Sequence, residues 1–163
     1  MLDIKNRETL EIYVLGDDFK FYQNLKYLPL TSYPSNIQSA LIVYCLSGRA
    51  KLTVHEDVHW IQPEELIILL PGQFVSFSEP SEDFSTVTMV ISTSLFSDAL
   101  SGVPRFSPHF FFYMRKNFST PLYDEECQRF IHFCNILIFR INLPRNLFRR
   151  ESIMQLLRVF YWD

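Results

Sequence analysis

Apolar and polar positions follow short periods over the first two thirds of the chain and a helical period thereafter. Residues 10–15 and 19–22 are brief apolar runs parted by Gly16-Asp17-Asp18, a turn signal. Residues 25–36 contain Pro29 and Pro34 and are expected to be irregular. Residues 40–46 (ALIVYCL) are continuously apolar and β-branched or aromatic, the pattern of a strand buried on both faces. Residues 49–55 alternate, with Ala50, Leu52 and Val54 on one face and Lys51, Thr53 and His55 on the other. A hairpin turn at Glu56-Asp57 returns the chain through 58–62. After a turn at 63–65, the run LIILL (66–70) stops at Pro71-Gly72, and strands over 74–77 and 84–91 are separated by the polar loop 78–83.

Residues 93–100 (TSLFSDAL) read as a short helix ending near Ser101-Gly102. The aromatic stretch 103–118 fits either a strand or core-facing coil. From Asp124, taken as an N-cap, Cys127, Phe130, Ile131, Cys134, Leu137, Ile138 and Ile141 recur at helical spacing. Pro144 is expected to stop this helix, and a second one should start near Asn146 with Ile153, Leu156, Leu157, Phe160 and Tyr161 on its apolar face. The short connection predicts an antiparallel pair. The expected fold is therefore mainly β with C-terminal helices. Residues 1–118 form a β-sandwich or barrel, and 119–163 a helical segment.

Composition refines this picture. The chain has 163 residues, enough for one domain with an appendage, and 48% are hydrophobic. Sixteen Phe and eight Tyr can fill a core or line a pocket for a flat or apolar ligand. The net charge of −3 lacks the basic excess of a free-standing DNA-binding domain. Arg145, Arg149, Arg150 and Arg158 read as a solvated helix face. Cys45, Cys127 and Cys134 lack a disulfide-framework spacing and read as core residues. With no signal-peptide pattern and no apolar run near ~20 residues, a cytoplasmic protein with no membrane contact is expected.

Three stretches carry a family resemblance: ALIVYCLSGRAKLTV with its hairpin, then EELIILLPGQFVSF, then SEDFSTVTMVISTSLFSDAL. In that order, and followed by the helix pair from Asp124, they resemble the N-terminal domain of AraC-family transcription regulators, Bacteroides-like members above all. The resemblance implies a cupin-like double-stranded β-helix, a jelly-roll barrel, followed by dimerisation and linker helices. It implies a small-molecule effector, a homodimer, and DNA contact only through a C-terminal helix-turn-helix region of roughly another hundred residues, expected beyond Asp163. No cofactor is implied. Strand position places Tyr44, His59, Phe74 and Met89 as candidate ligand-binding residues. Phe130, Cys134, Leu137, Ile138 and Ile141 are candidate dimer contacts.

Cupins also include metal enzymes, which need several His and carboxylate ligands converging on an open site. Here His55 and His59 are separated by three residues, and Gln73, Phe74 and Val75 follow Pro71-Gly72 where a further His belongs. With a two-residue turn His59 shares the Leu52 face and His55 points away, whereas a three-residue loop would pair them. No metal site and no enzymatic activity are therefore expected. The alternative is a stand-alone, metal-independent cupin enzyme of sugar isomerase or epimerase type, which would need a pocket with a paired acid and base.

Overall fold

The computed structural model describes residues 11–101, 107–142 and 149–162. The strands are β1 (Glu11–Leu15), β2 (Phe19–Leu25), β3 (Ser35–Asn36), β4 (Ala40–Ser47), β5 (Ala50–Val54), β6 (Asp57–Ile61), β7 (Glu65–Leu69), β8 (Phe74–Ser78), β9 (Ser85–Ile91) and β10 (Ser119–Pro121). The helices are α1 (Thr93–Leu100), α2 (Pro108–Lys116), α3 (Asp124–Asn142) and α4 (Arg149–Trp162). All strand pairs are antiparallel. One sheet runs β1-β2-β9-β4-β7-β10 and the other β3-β8-β5-β6. Strands β2 to β9 thus form two four-stranded layers, β2-β9-β4-β7 and β3-β8-β5-β6, in jelly-roll order, the architecture that cupins share.

Strand parity sorts the side chains. Leu41, Val43 and Cys45 of β4 and Ile67 and Leu69 of β7 face inward. They meet Leu52, Val54, Val75 and Phe77 of the four-stranded sheet. Ala40, Ile42 and Tyr44 alternate onto the other face, joined by Val87, Met89 and Ile91 of β9, beneath the helices. The unbroken apolar run of β4 follows from burial on both faces.

Two glycines are conformationally required. Gly72 has φ +89° and follows Pro71 in a turn closed by a Gln73 N–H to Leu70 O bond of 3.3 Å, which is type II geometry. Gly48, at φ +73°, sits where a Cβ would lie 2.6 Å from the Phe84 backbone. Any side chain there would strain the backbone and clash across the β4–β5 corner.

The structure departs from the sequence reading at several places. The β5–β6 turn is His55-Glu56, so Leu52 pairs with His59 and Val54 with Asp57. Sliding a two-residue turn by one position moves every pair by two residues and keeps facing parity, so His59 still shares the Leu52 face. The expected irregular segment holds the short strand β3, and part of the uncertain aromatic stretch is helix α2. Pro108 at the first turn supplies a helix-compatible φ where no N–H is needed. Strand β10 is too short for periodicity to mark. Asp124 lies inside α3, and Glu126 reaches back to the Tyr123 N–H at 3.2 Å, a capping-box contact. The expected stop at Pro144, the restart near Asn146 and Arg145 lie outside the described residues, as does Gly102.

Helices α3 and α4 are antiparallel, since Phe130 and Phe133 in the first half of α3 meet Phe160 near the end of α4. The reading of the arginines as a solvated face is corrected at two positions. Arg150 contacts Asp18 at 3.1 Å and Asp98 at 2.8 Å. Arg158 donates to the carbonyls of Ala99 at 2.5 Å and Asp98 at 3.2 Å, where cationic donors suit the end of α1. The Ser92 hydroxyl caps the other end of α1 by accepting from the Leu95 N–H at 3.0 Å. These contacts tie α4 to α1 and to the β1–β2 hairpin.

Candidate functional site

The helices do not close evenly on the six-stranded sheet. A crevice of about 500 Å³ separates them, a ligand-sized volume. Its floor is Leu66 and Ile68, the outward residues of β7. Phe130 and Phe133 of α3 and Phe160 and Tyr161 of α4 form one wall, and Phe110, Tyr113 and Met114 of α2 another. Phe118 and Leu122, which flank β10, close one end. Glu126 and Arg129 of α3 stand on its border, and Arg129 is paired with Glu125 at 3.0 Å. Aromatic rings pack at discrete edge and face geometries. Here Phe133 stacks on Phe160 at 5.1 Å, and Phe160 meets Tyr161 edge-on at 5.4 Å.

Tyr161 is the one wall residue that is both buried and polar. It is 5% exposed, and its hydroxyl has no hydrogen-bond partner among the described residues. Burial raises its pKa far above the usual phenol value, so the group remains a neutral donor. The same desolvation raises the Cys134 thiol.

The four residues expected to form a pocket do not converge. Tyr44 is buried under α3, where its hydroxyl contacts the Cys127 sulfur at 3.2 Å and its ring meets Phe130 at 5.1 Å. Burial first, and then Cys127, raise its pKa. Met89 is fully buried beneath the helices. Phe74 begins β8 and is exposed. His59 lies across the inner space, edge-on to Phe118 at 5.6 Å. Tyr44 and His59 thus each stand one ring behind a crevice wall, and none of the four lines it. The crevice walls were missed because they combine three segments. Their only sequence signal was the density of aromatics in α2, α3 and α4.

The five candidate dimer contacts, Phe130, Cys134, Leu137, Ile138 and Ile141, all lie in the chain's own core. They are 0–7% exposed, covered by the sheet and by α4. The outward face of α3 carries Ile136 and Phe139 instead, 46% and 62% exposed.

His59 belongs to a second cluster. Its Nε2 meets Glu65 Oε1, which also accepts from the Ser119 hydroxyl. Glu65 Oε2 accepts from the Gln62 N–H at 2.8 Å. The Glu65 carboxylate is buried, and these donors hold both of its oxygens. Because His59 is on β6, Glu65 on β7 and Ser119 on β10, the cluster latches the edge of one sheet to the edge of the other. It does not line the crevice. Among the described residues no group of three His, Cys, Asp or Glu side chains converges as a metal site, and His55 is in the exposed turn. Among the described residues no helix is long and apolar enough to cross a membrane.

Solved structures similar to this chain include the cupin domain of Cnp3 from Schizosaccharomyces pombe, at 10% identity and a TM-score of 0.43, covering 54% of this chain and 66% of that one. An RmlC-like cupin family protein with a double-stranded β-helix fold from Methanocaldococcus jannaschii is 11% identical over 52% of this chain and 80% of its own, with a TM-score of 0.39. A cupin protein from Bacteroides fragilis is 14% identical over 47% of this chain and 67% of its own, with a TM-score of 0.37. The cupin-like fold rests on the strand order of the two sheets. No protein-family model and no curated protein sequence matches the chain.

Proposed function

We propose that this chain is the effector-sensing and dimerisation module of an AraC-type transcription regulator, acting on a C-terminal DNA-binding region. The observation that carries the reading is the position of the crevice. It lies between the barrel and the helix pair, so a ligand bound there contacts the element that would dimerise and lead to the DNA-binding part. A ligand that binds one seating of α3 and α4 better than another shifts the population toward that seating. Apolar side chains of both sheets interlock inside the barrel, and the recess at its Leu41 and Val90 end is about 220 Å³ against about 500 Å³ for the crevice, which favours the crevice as the effector site. The dimer face in this reading is the outer side of α3, around Ile136 and Phe139.

Two experiments test it. The coding sequence after Asp163 should continue in frame into two helix-turn-helix units, and a stop codon there would overturn the DNA-binding assignment. Sedimentation equilibrium should show a dimer, and a monomer at high protein concentration would overturn the dimerisation role.

A further inference from the structure

We infer that the crevice takes an organic cation, with a flat apolar body between the aromatic walls and an ammonium group at Glu126. The inference rests on the crevice being the effector site, and it adds the chemical class of the occupant. Three observations carry it.

The first is the lining. Phe110, Tyr113, Phe118, Phe130, Phe133 and Phe160 border the space, over a floor of Leu66 and Ile68. About 500 Å³ is room for a compact organic molecule. Aromatic faces carry partial negative charge, so walls of this kind favour a cation as well as an apolar body.

The second is the state of Glu126, which lines the same space and is half-buried. Its Oε1 accepts from the Tyr123 N–H at 3.2 Å, which fixes the carboxylate in the first turn of α3, a position that suits a negative charge. Among the described residues Oε2 has no hydrogen-bond partner, and no cation lies within ion-pair distance of this carboxylate. A ligand that covers Glu126 strips water from it, and a cation on the ligand offsets that loss where a neutral group does not.

The third is the placement of the other charges. Arg129 also borders the crevice, but it is largely exposed and paired with Glu125 at 3.0 Å. Arg115 and Lys116 of α2 do not line the space. Glu126 therefore sets the sign of the charge at the border. An anionic ligand would lose its hydration and face a carboxylate, with no free cation to receive it.

Calorimetric titration with three probes of one ring system and different charge tests this: 2-naphthylmethylammonium, 2-naphthylmethanol and 2-naphthoate. The wild-type chain should bind the ammonium about tenfold more tightly than the alcohol, the worth of a partly desolvated cation against rings and a carboxylate, and 2-naphthoate more weakly than either. Glu126→Gln should bring the ammonium down to the level of the alcohol at an unchanged melting temperature. Met114→Trp from the α2 side, or Leu66→Trp from the floor, should fill the space and abolish binding of all three. If the ammonium and the alcohol bind wild type equally, if 2-naphthoate binds best, or if Glu126→Gln keeps the preference for the ammonium, the cationic class is overturned and the crevice stands. If no probe binds wild type, or a filled variant with the wild-type circular dichroism spectrum binds as wild type does, the crevice itself is overturned as the effector site.

Discussion

The central strands β4 and β9 of the six-stranded sheet are buried on both faces, and the two faces are closed in different ways. Its inner face meets the four-stranded sheet, and the strand pleats interdigitate. Leu41, Val43, Ile67 and Leu69 pack against Leu52, Val54 and Val75 at 0–3% exposure. Its outer face meets the helices through aliphatic residues such as Leu95, Leu137, Ile141, Ile153 and Leu157, while aromatic rings gather around a crevice of about 500 Å³. Two pleated sheets repeat the same spacing along their length, so the aliphatic side chains of β4, β5 and β7 interdigitate, with Phe77 and Phe84 beside them and Thr86 and Thr88 of β9 hydrogen-bonded to each other. Helices cross a sheet at a few points, and large flat rings leave space between those points. The first layer leaves a recess of about 220 Å³ at the Leu41 and Val90 end, whereas the second leaves the crevice of about 500 Å³.

The largest expected effect tests whether α3 belongs to that outer layer or to an intermolecular contact. Leu137 is fully buried within the chain, so Leu137→Asp places an unpaired charge in the core and should cost several kcal/mol. Loss of the folded far-ultraviolet spectrum checks this; a folded monomer would instead make Leu137 an interface residue. Next comes the contrast between the layers. Leu52→Ala in the filled inner space should cost about 3–5 kcal/mol in urea unfolding, while Leu66→Ala at the crevice floor, already short of neighbours, should cost less than about 2 kcal/mol. Equal losses would remove the distinction between the faces.

The latch at the sheet edges should rank third. Glu65→Ala removes the common acceptor of His59, Ser119 and the Gln62 N–H, and about 2 kcal/mol should be lost by urea titration. Alkaline pH gives a fourth, graded test of the outer layer. Burial raises the folded-state pKa of Tyr161 and Cys134. Their stabilising contribution is therefore complete below the unfolded values, about 8.5 for the thiol and about 10 for the phenol. It declines as pH rises through and beyond those values, because the unfolded chain ionises first. Each group contributes a slope of about 1.4 kcal/mol per pH unit in that range. Melting temperatures measured from pH 8 upward should fall, and Tyr161→Phe should flatten the decline above about pH 10. The smallest effect on stability is expected on the outside of α3. Phe139→Asp should change unfolding free energy by about 0.5 kcal/mol or less, yet shift sedimentation from dimer to monomer.

Much of the barrel was legible in the sequence. Alternation in β5, the continuous run of β4 and the Pro71-Gly72 turn follow from backbone sterics and period, which are local properties. The face of His59 was legible too, since parity survived a one-residue slide of the turn. Helix α2 was not, because FFFYM carries no clear period and its start depends on Pro108. Strand β10 exists only because β7 offers an edge. Strand position groups Tyr44, His59, Phe74 and Met89, but alternate residues of β4 and β6 face different layers. Once the helices covered the outer face, Tyr44 and Met89 could not share a pocket with His59.

Sequence alone determined the strands β4 to β9 and their order, the alternation of side chains along β5, and the apolar stripe of α3. These depend on period two, period 3.6 and turn chemistry, all read within a few residues. Tertiary structure decided which layer each stripe faced, and that Phe130, Cys134, Leu137, Ile138 and Ile141 would be spent on the chain's own core. It also decided where packing failed to close. A cavity is a shortfall between surfaces brought together from β7, α2, α3 and α4, and no single segment encodes it.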